Sequence, residues 1–227
     1  MTRGERMDEG LMELTAERFI EDLERLGASP RMGDIFALAR EYRVMEPAEI
    51  ARLIRHPAHD VRVGAVSVMD FQARKTKTSP DRRRELYELY LDNHEHIDSW
   101  GLVDRAAPYV VGGYLWDKPR DPLYELARSP HPMERRTAIV ATYYFIRQHD
   151  LDDTFRIGGI LAHDPDELVQ KAVGGWVREA GKQDLDMLRR YLDAYAPTMP
   201  RVALRYAVEH LDPAERSRYL GLRAATT

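Results

Sequence analysis

Cysteine is absent from all 227 residues, and that gap excludes disulfides, cysteine-ligated zinc, iron–sulfur clusters and thiol nucleophiles together. Long apolar runs are missing as well. No stretch approaches the ~20 residues needed to cross a bilayer, and the first ten residues, Met-Thr-Arg-Gly-Glu-Arg-Met-Asp-Glu-Gly, lack the apolar centre of a secretory signal. A cytoplasmic protein with no membrane contact is expected. Nor is there a Gly-Lys-Ser/Thr phosphate loop, a dinucleotide glycine fingerprint or a Gly-x-Ser-x-Gly elbow. Nucleotide cofactors are therefore not expected. No segment alternates convincingly at period two, so strands are not expected either.

Positive charge is also not in excess. Thirty-four Lys and Arg stand against 38 Asp and Glu, a formal net charge of −4, which argues against indiscriminate coating of nucleic acid. A local basic face is compatible with that sum, because the distribution of charge sets the field. A hydrophobic fraction of 44% can supply one continuous core, and a single domain over 1–227 is expected.

What is present reads as helix throughout. From about Arg6 to Leu26, Leu11, Leu14, Phe19, Leu23 and Leu26 fall near helical spacing, with Gly27 as a closing residue. Met32 to Ala39 and Pro47 to Ile54 follow as short helices. A recurring start then appears: His59-Asp-Val-Arg-Val-Gly-Ala-Val66, Asp104-Arg-Ala-Ala107, Met133-Glu-Arg-Arg-Thr-Ala-Ile139, Leu168-Val-Gln-Lys-Ala-Val173 and, more loosely, Met199-Pro-Arg-Val-Ala-Leu204. The intervals of about 30 to 42 residues are those of helical-pair repeats. Each later start is preceded by an amphipathic segment, at Arg82 to Leu91, Pro122 to Arg128, Asp153 to Leu161 and Leu185 to Ala194. Stacked pairs build a curved solenoid with the second helices on one inner wall. Glycine pairs at Gly112-Gly113, Gly158-Gly159 and Gly174-Gly175 sit inside helical segments, where close helix approach is the expected reason.

Chemistry concentrates between Asp98 and Tyr114. Trp100 and Asp104 stand four residues apart, so on a helix they share a face. An aromatic plane beside a carboxylate is a receptor for positive charge, although a core indole and an ordinary ion pair satisfy the same spacing. His94-Glu95-His96 with Asp98 has no metal-ligand spacing and is expected to be a solvated helix end. Arg82-Arg83-Arg84, flanked by Asp81 and Glu85, is expected to be an exposed ion-paired face.

Trp100-Gly-Leu-Val-Asp104, Ala107-Pro-Tyr109, Glu134-Arg-Arg-Thr-Ala-Ile-Val-Ala-Thr142, Gln170-Lys-Ala-Val-Gly-Gly-Trp-Val-Arg-Glu179 and Thr198-Met-Pro-Arg-Val-Ala-Leu-Arg-Tyr-Ala207 occur in this order. In these blocks the chain resembles the AlkD-type DNA alkylation repair proteins, which are HEAT-like repeat DNA glycosylases. The likeness covers roughly residues 32–220, with a helical segment over 1–31 before it. It implies an all-α fold, a curved solenoid of antiparallel HEAT-like helical pairs, that cradles duplex DNA and excises purines alkylated at N3 or N7 without trapping the base in a deep pocket. It implies Asp104 as the catalytic carboxylate, Trp100 as an aromatic wall and Arg136 as a contact to the DNA backbone. Trp176 is the nearest match to a second aromatic of the family, whose own place is taken by Gly175; Gly101 follows Trp100 where relatives often carry an acid. Lys171, Arg201 and Arg205 are further expected phosphate contacts. Neither a metal nor a cofactor is implied, and a monomer is expected. A non-catalytic HEAT-like module that binds distorted DNA or a protein partner is the other class of function compatible with these residues.

Overall fold

Short polar side chains and prolines punctuate the chain into helices. Thr15 and Ser79 accept hydrogen bonds from Arg18 N and Arg82 N, and Asp166, Asp184 and Asp212 do the same at three later helix starts. Proline stands in the first turn of five helices, where its missing N–H has no partner to lose. In the computed structural model, which describes residues 14–222, the elements are α1 (Ala16–Glu24), α2 (Met32–Glu41), α3 (Pro47–Ile54), α4 (His59–Arg74), α5 (Pro80–Asp92), a 3-10 turn (His94–His96), α6 (Trp100–Ala106), a π-helical segment (Ala107–Gly112), α7 (Gly113–Leu115), α8 (Asp121–Leu126), α9 (Pro132–Ala141), α10 (Tyr143–Arg147), α11 (Asp152–Ile160), α12 (Glu167–Gly181), α13 (Leu185–Tyr195), α14 (Arg201–Ala207) and α15 (Pro213–Gly221). No strand occurs among the described residues. The expected helix near Arg6 lies, before residue 14, outside them; α1 itself ends near Gly27, whose φ of 100° is the left-handed closure glycine allows.

The helices form two rows. In one, here the spine, α2, α4, α6, α9, α12 and α14 pack successively side by side. In the other, α1, α3, α5, α8, α11 and α13 back onto their spine partners. The all-α helical solenoid expected from the repeats is thus what the chain forms. One hydrophobic cluster runs between the rows from Ala16 to Tyr219.

The first member of each glycine pair sits at a close helix contact. A Cβ on Gly112 would overlap the Ala141 carbonyl oxygen of α9, and one on Gly174 would overlap the Ala203 carbonyl oxygen of α14. One on Gly158 would press on the Val177 side chain at 2.9 Å. At Gly175 a Cβ would meet open space, so the two residues of that pair answer different demands.

Candidate functional site

Asp104 lies in the second turn of α6, and the backbone there is irregular for a local reason. Pro108 has no N–H to donate to the Asp104 carbonyl four residues back, and its ring crowds that carbonyl. The helix opens at this point, with Ala106 at φ −111°, ψ −38°, into the π-helical segment Ala107–Gly112.

The Asp104 carboxylate takes a two-pronged bond from Arg136 on α9: Nε to Oδ1 at 2.9 Å and Nη2 to Oδ2 at 2.8 Å. The third arm of the guanidinium, Nη1, donates to the Leu168 carbonyl of α12. Arg136 thereby ties three consecutive spine helices together. Its side chain is 8% exposed, whereas that of Asp104 is 34% exposed. All three nitrogens of the guanidinium are engaged within the protein, whereas the resemblance implies a contact to the DNA backbone. Asp104 keeps an open edge. A carboxylate has about four acceptor positions, so the fork leaves some for water or another donor.

A second layer fixes α9 from behind. Thr137 Oγ1 is 2.9 Å from Tyr90 Oη and 2.8 Å from His94 Nε2, all buried. Burial raises the Tyr90 phenol above its ordinary pKa, and the nearby charge of Asp104 adds to that. Burial lowers His94 below the usual imidazole value. His94 is therefore a core residue, not the solvated helix end expected of His94-Glu95-His96. The contact to Thr137 lies 43 positions away, beyond the reach of local spacing. Arg82, Arg83 and Arg84 do form an ion-paired and capped face: Arg82 meets Glu46 at 2.6 Å, Arg84 meets Asp81 at 3.3 Å and Arg83 donates to the Ala73 and Lys75 carbonyls.

Trp100 opens α6 on the same side as Asp104, one turn earlier, and is 55% exposed. Trp176 is placed elsewhere. Helix α12 runs unbroken through the glycine pair, so a shift of one position turns the side chain by about 100°. Its indole packs on Tyr143, centroids 5.1 Å apart, and on the small cluster of Ile146, Leu151 and Ala180. It is core-supporting in this arrangement and leaves the position of Gly175 open.

Lys171 sits on the spine at α12, paired with Glu167 at 2.6 Å. That carboxylate holds the ammonium above its ordinary pKa, with Tyr206 adding and Arg136 opposing. Asp104, Arg136, Lys171 and Tyr206 are consequently neighbours along the wall. Tyr206, 40% exposed on α14, was not singled out from the sequence, although it directly follows Arg205. Arg201 Nη2 donates to the Leu220 carbonyl at 2.7 Å, and Arg205 is exposed. No group of acidic or histidine side chains suited to a metal occurs among the described residues, and no helix among them is long and apolar enough to cross a membrane.

What the geometry offers is a partly open carboxylate, oriented by a buried guanidinium and flanked by an exposed indole. Over residues 13–211 the sequence matches the family described as DNA alkylation repair enzyme, and the chain belongs to that family. No curated protein matches the chain.

Proposed function

We propose that this member of the DNA alkylation repair family is a cofactor-free, monofunctional DNA glycosylase that excises cationic N3- and N7-alkylpurines from duplex DNA. The observation that carries the reading is the Asp104 carboxylate, 34% exposed yet held by two hydrogen bonds from Arg136.

The chemistry requires little of the protein. An alkylated N3 or N7 gives the purine a positive charge, so the base leaves as a neutral molecule without a proton from a general acid. The C1′–N bond breaks with its electron pair going to the base. Positive charge then passes to the sugar, water adds at C1′, and its proton goes to solvent. A carboxylate aimed at that developing charge lowers the barrier by electrostatic stabilisation. Asp104 can also accept a hydrogen bond from the attacking water through its open edge.

Arg136 acts as a positioning residue in this scheme. Its charge offsets part of the carboxylate's, but the pair is a dipole whose negative end is the exposed edge. The fork also removes the rotational freedom of Asp104 before substrate arrives. Trp100 offers a ring face to a cation, an attraction of about 0.5–2 kcal/mol depending on hydration. With Gly175 open and Trp176 packed on Tyr143, the aromatic wall is one-sided.

The test compares lesions by charge. The wild-type protein is expected to release N7-methylguanine and N3-methyladenine from methylated duplex DNA and to leave uncharged hypoxanthine in place. Equal release of charged and uncharged bases would contradict the scheme. Tight binding to methylated duplex without release of any base would favour the non-catalytic module.

A further inference from the structure

We propose that the α2–α4 end of the spine is a docking site for the phosphodiester backbone of duplex DNA flanking the lesion. This rests on the reading that duplex DNA is the substrate, and it moves the main electrostatic contact away from Lys171, Arg201 and Arg205.

Six cations gather there: Arg40 and Arg43 at the end of α2, Arg74, Lys75 and Lys77 at the end of α4, and Arg105 on α6 beside Asp104. Among the described residues, the one carboxylate paired with any of the six is Asp70, fully buried, 2.7 Å from Arg74 and 3.3 Å from Arg105. The other acids of this stretch are Glu41, the last residue of α2, and Glu46, which pairs with Arg82; in a chain of net charge −4, a surface whose cations outnumber its acids is a departure from the mean. A local field of that sign draws a polyanion.

The cations are held in place. The Arg105 guanidinium lies over the Phe36 ring at 4.5 Å and the Phe71 ring at 4.8 Å; Arg40 lies over Phe71 at 5.2 Å and Arg74 over Tyr109 at 3.8 Å. Burial lowers the Arg105 pKa, Asp70 opposes that, and the charges of Arg74 and Arg40 add to the lowering. Crowding of like charge of this kind is relieved when an anion arrives. The loop that carries Lys75 and Lys77 is also fixed: Thr78 Oγ1 donates to the Gln72 carbonyl at 2.6 Å and Arg83 Nη2 to the Lys75 carbonyl at 2.9 Å. Arg43, Lys75, Lys77 and Arg82 line an open cleft of about 250 Å³ with Ser79 and Glu46 on its wall.

The shelf adjoins the helix that carries the candidate site. Arg105 follows Asp104 on α6 but turns to α4, where it meets Asp70 and Ser67, and Arg74 rests on Tyr109 of the π-helical segment.

The experiment measures affinity for undamaged duplex DNA at several salt concentrations, with the full chain. Lys75 and Lys77 are exposed, so Lys75→Gln/Lys77→Gln combined with Arg40→Gln removes charge with little effect on packing. The triple variant is expected to lose on the order of tenfold in affinity, and its salt slope to fall by about 0.9 per contact removed, so by roughly 2 to 3. Arg40→Lys with Lys75→Arg/Lys77→Arg is expected to keep the wild-type slope. Arg201→Gln/Arg205→Gln is expected to change the slope less than the triple variant does. An unchanged slope in the triple variant, a larger loss in Arg201→Gln/Arg205→Gln, or a wild type that does not bind duplex would each overturn the proposal. Base excision is scored separately: duplex binding that depends on the shelf, without any excision, would leave the shelf standing and remove only the glycosylase reading.

Discussion

The two ends of the spine carry similar numbers of basic residues and use them differently. At the α12–α14 end, Lys171 is bound to Glu167, Arg178 to Glu179 and Glu209, and Arg201 to a backbone carbonyl. At the α2–α4 end, Arg40, Lys75 and Lys77 have no carboxylate paired with them among the described residues, and aromatic rings support the guanidiniums of Arg40, Arg74 and Arg105, of which the last two share the one buried acid, Asp70. Ring faces hold a cation without neutralising it, whereas an ion pair removes it from the field that DNA meets. A basic residue on the right helix is therefore not yet a phosphate contact; its nearest neighbours decide.

Between the two ends, Asp104 and Arg136 mark the point where pairing serves geometry. The largest effect on stability is expected from α12, where the glycine pair separates packing from space. Gly174→Ala drives a methyl into the Ala203 carbonyl and is expected to lower stability by about 1–3 kcal/mol. Gly175→Ala meets nothing and is expected to be neutral or to stabilise by up to ~1 kcal/mol. Thermal midpoints of the two variants decide between these, and equal losses would break the distinction.

Arg136→Lys sharpens the middle of the comparison. It keeps the charge but loses the planar fork and the bond to the Leu168 carbonyl. Release of alkylpurine is expected to fall by about tenfold or more, with duplex affinity and its salt slope unchanged. A loss confined to affinity would make Arg136 the DNA contact that the resemblance implied.

A smaller effect is expected from His94. Its folded-state pKa lies below the unfolded value of about 6.5, so the folded protein binds fewer protons there. The stability it contributes is complete above pH 6.5 and is lost as pH falls from 6.5 toward the folded value. Chemical denaturation between pH 7 and 5 is expected to show a steeper decline in wild type than in His94→Gln. Parallel declines would mean that other groups govern the acid limb.

Much of this fold was legible in the residues. The segment His59–Arg74 is a helix over the range its pattern marks, and the pairs around Pro132, Asp152, Glu167, Leu185 and Arg201 fall within a few residues of their sequence signals. These are local matters of periodicity, caps and proline. The π-helical opening is not legible in the same way, because Pro108 inside an apolar run admits either a break or a bulge and only packing chooses. Helix α15 has its own local start signal, Asp212-Pro213, which caps it, but it lies outside the repeat pattern.

At the site, the shared face of Trp100 and Asp104 follows from four-residue spacing. The fork from Arg136 does not. It joins residues 32 positions apart, and such contacts depend on how successive repeats stack. The same holds for Thr137 with His94, and for the rings beneath Arg40 and Arg105. Trp176 illustrates the reverse case: a residue one place from an expected position belongs to a different face, and α12 stays regular enough to enforce the difference.

The central claim is that the open edge of Asp104 stabilises positive charge on the sugar as the base departs. Single-turnover release of N7-methylguanine by saturating Asp104→Asn tests it most directly, because the amide keeps the shape and removes the charge. A fall on the order of 10²–10³ in the rate of release, with duplex affinity retained, is the predicted result. Release at the wild-type rate would contradict it.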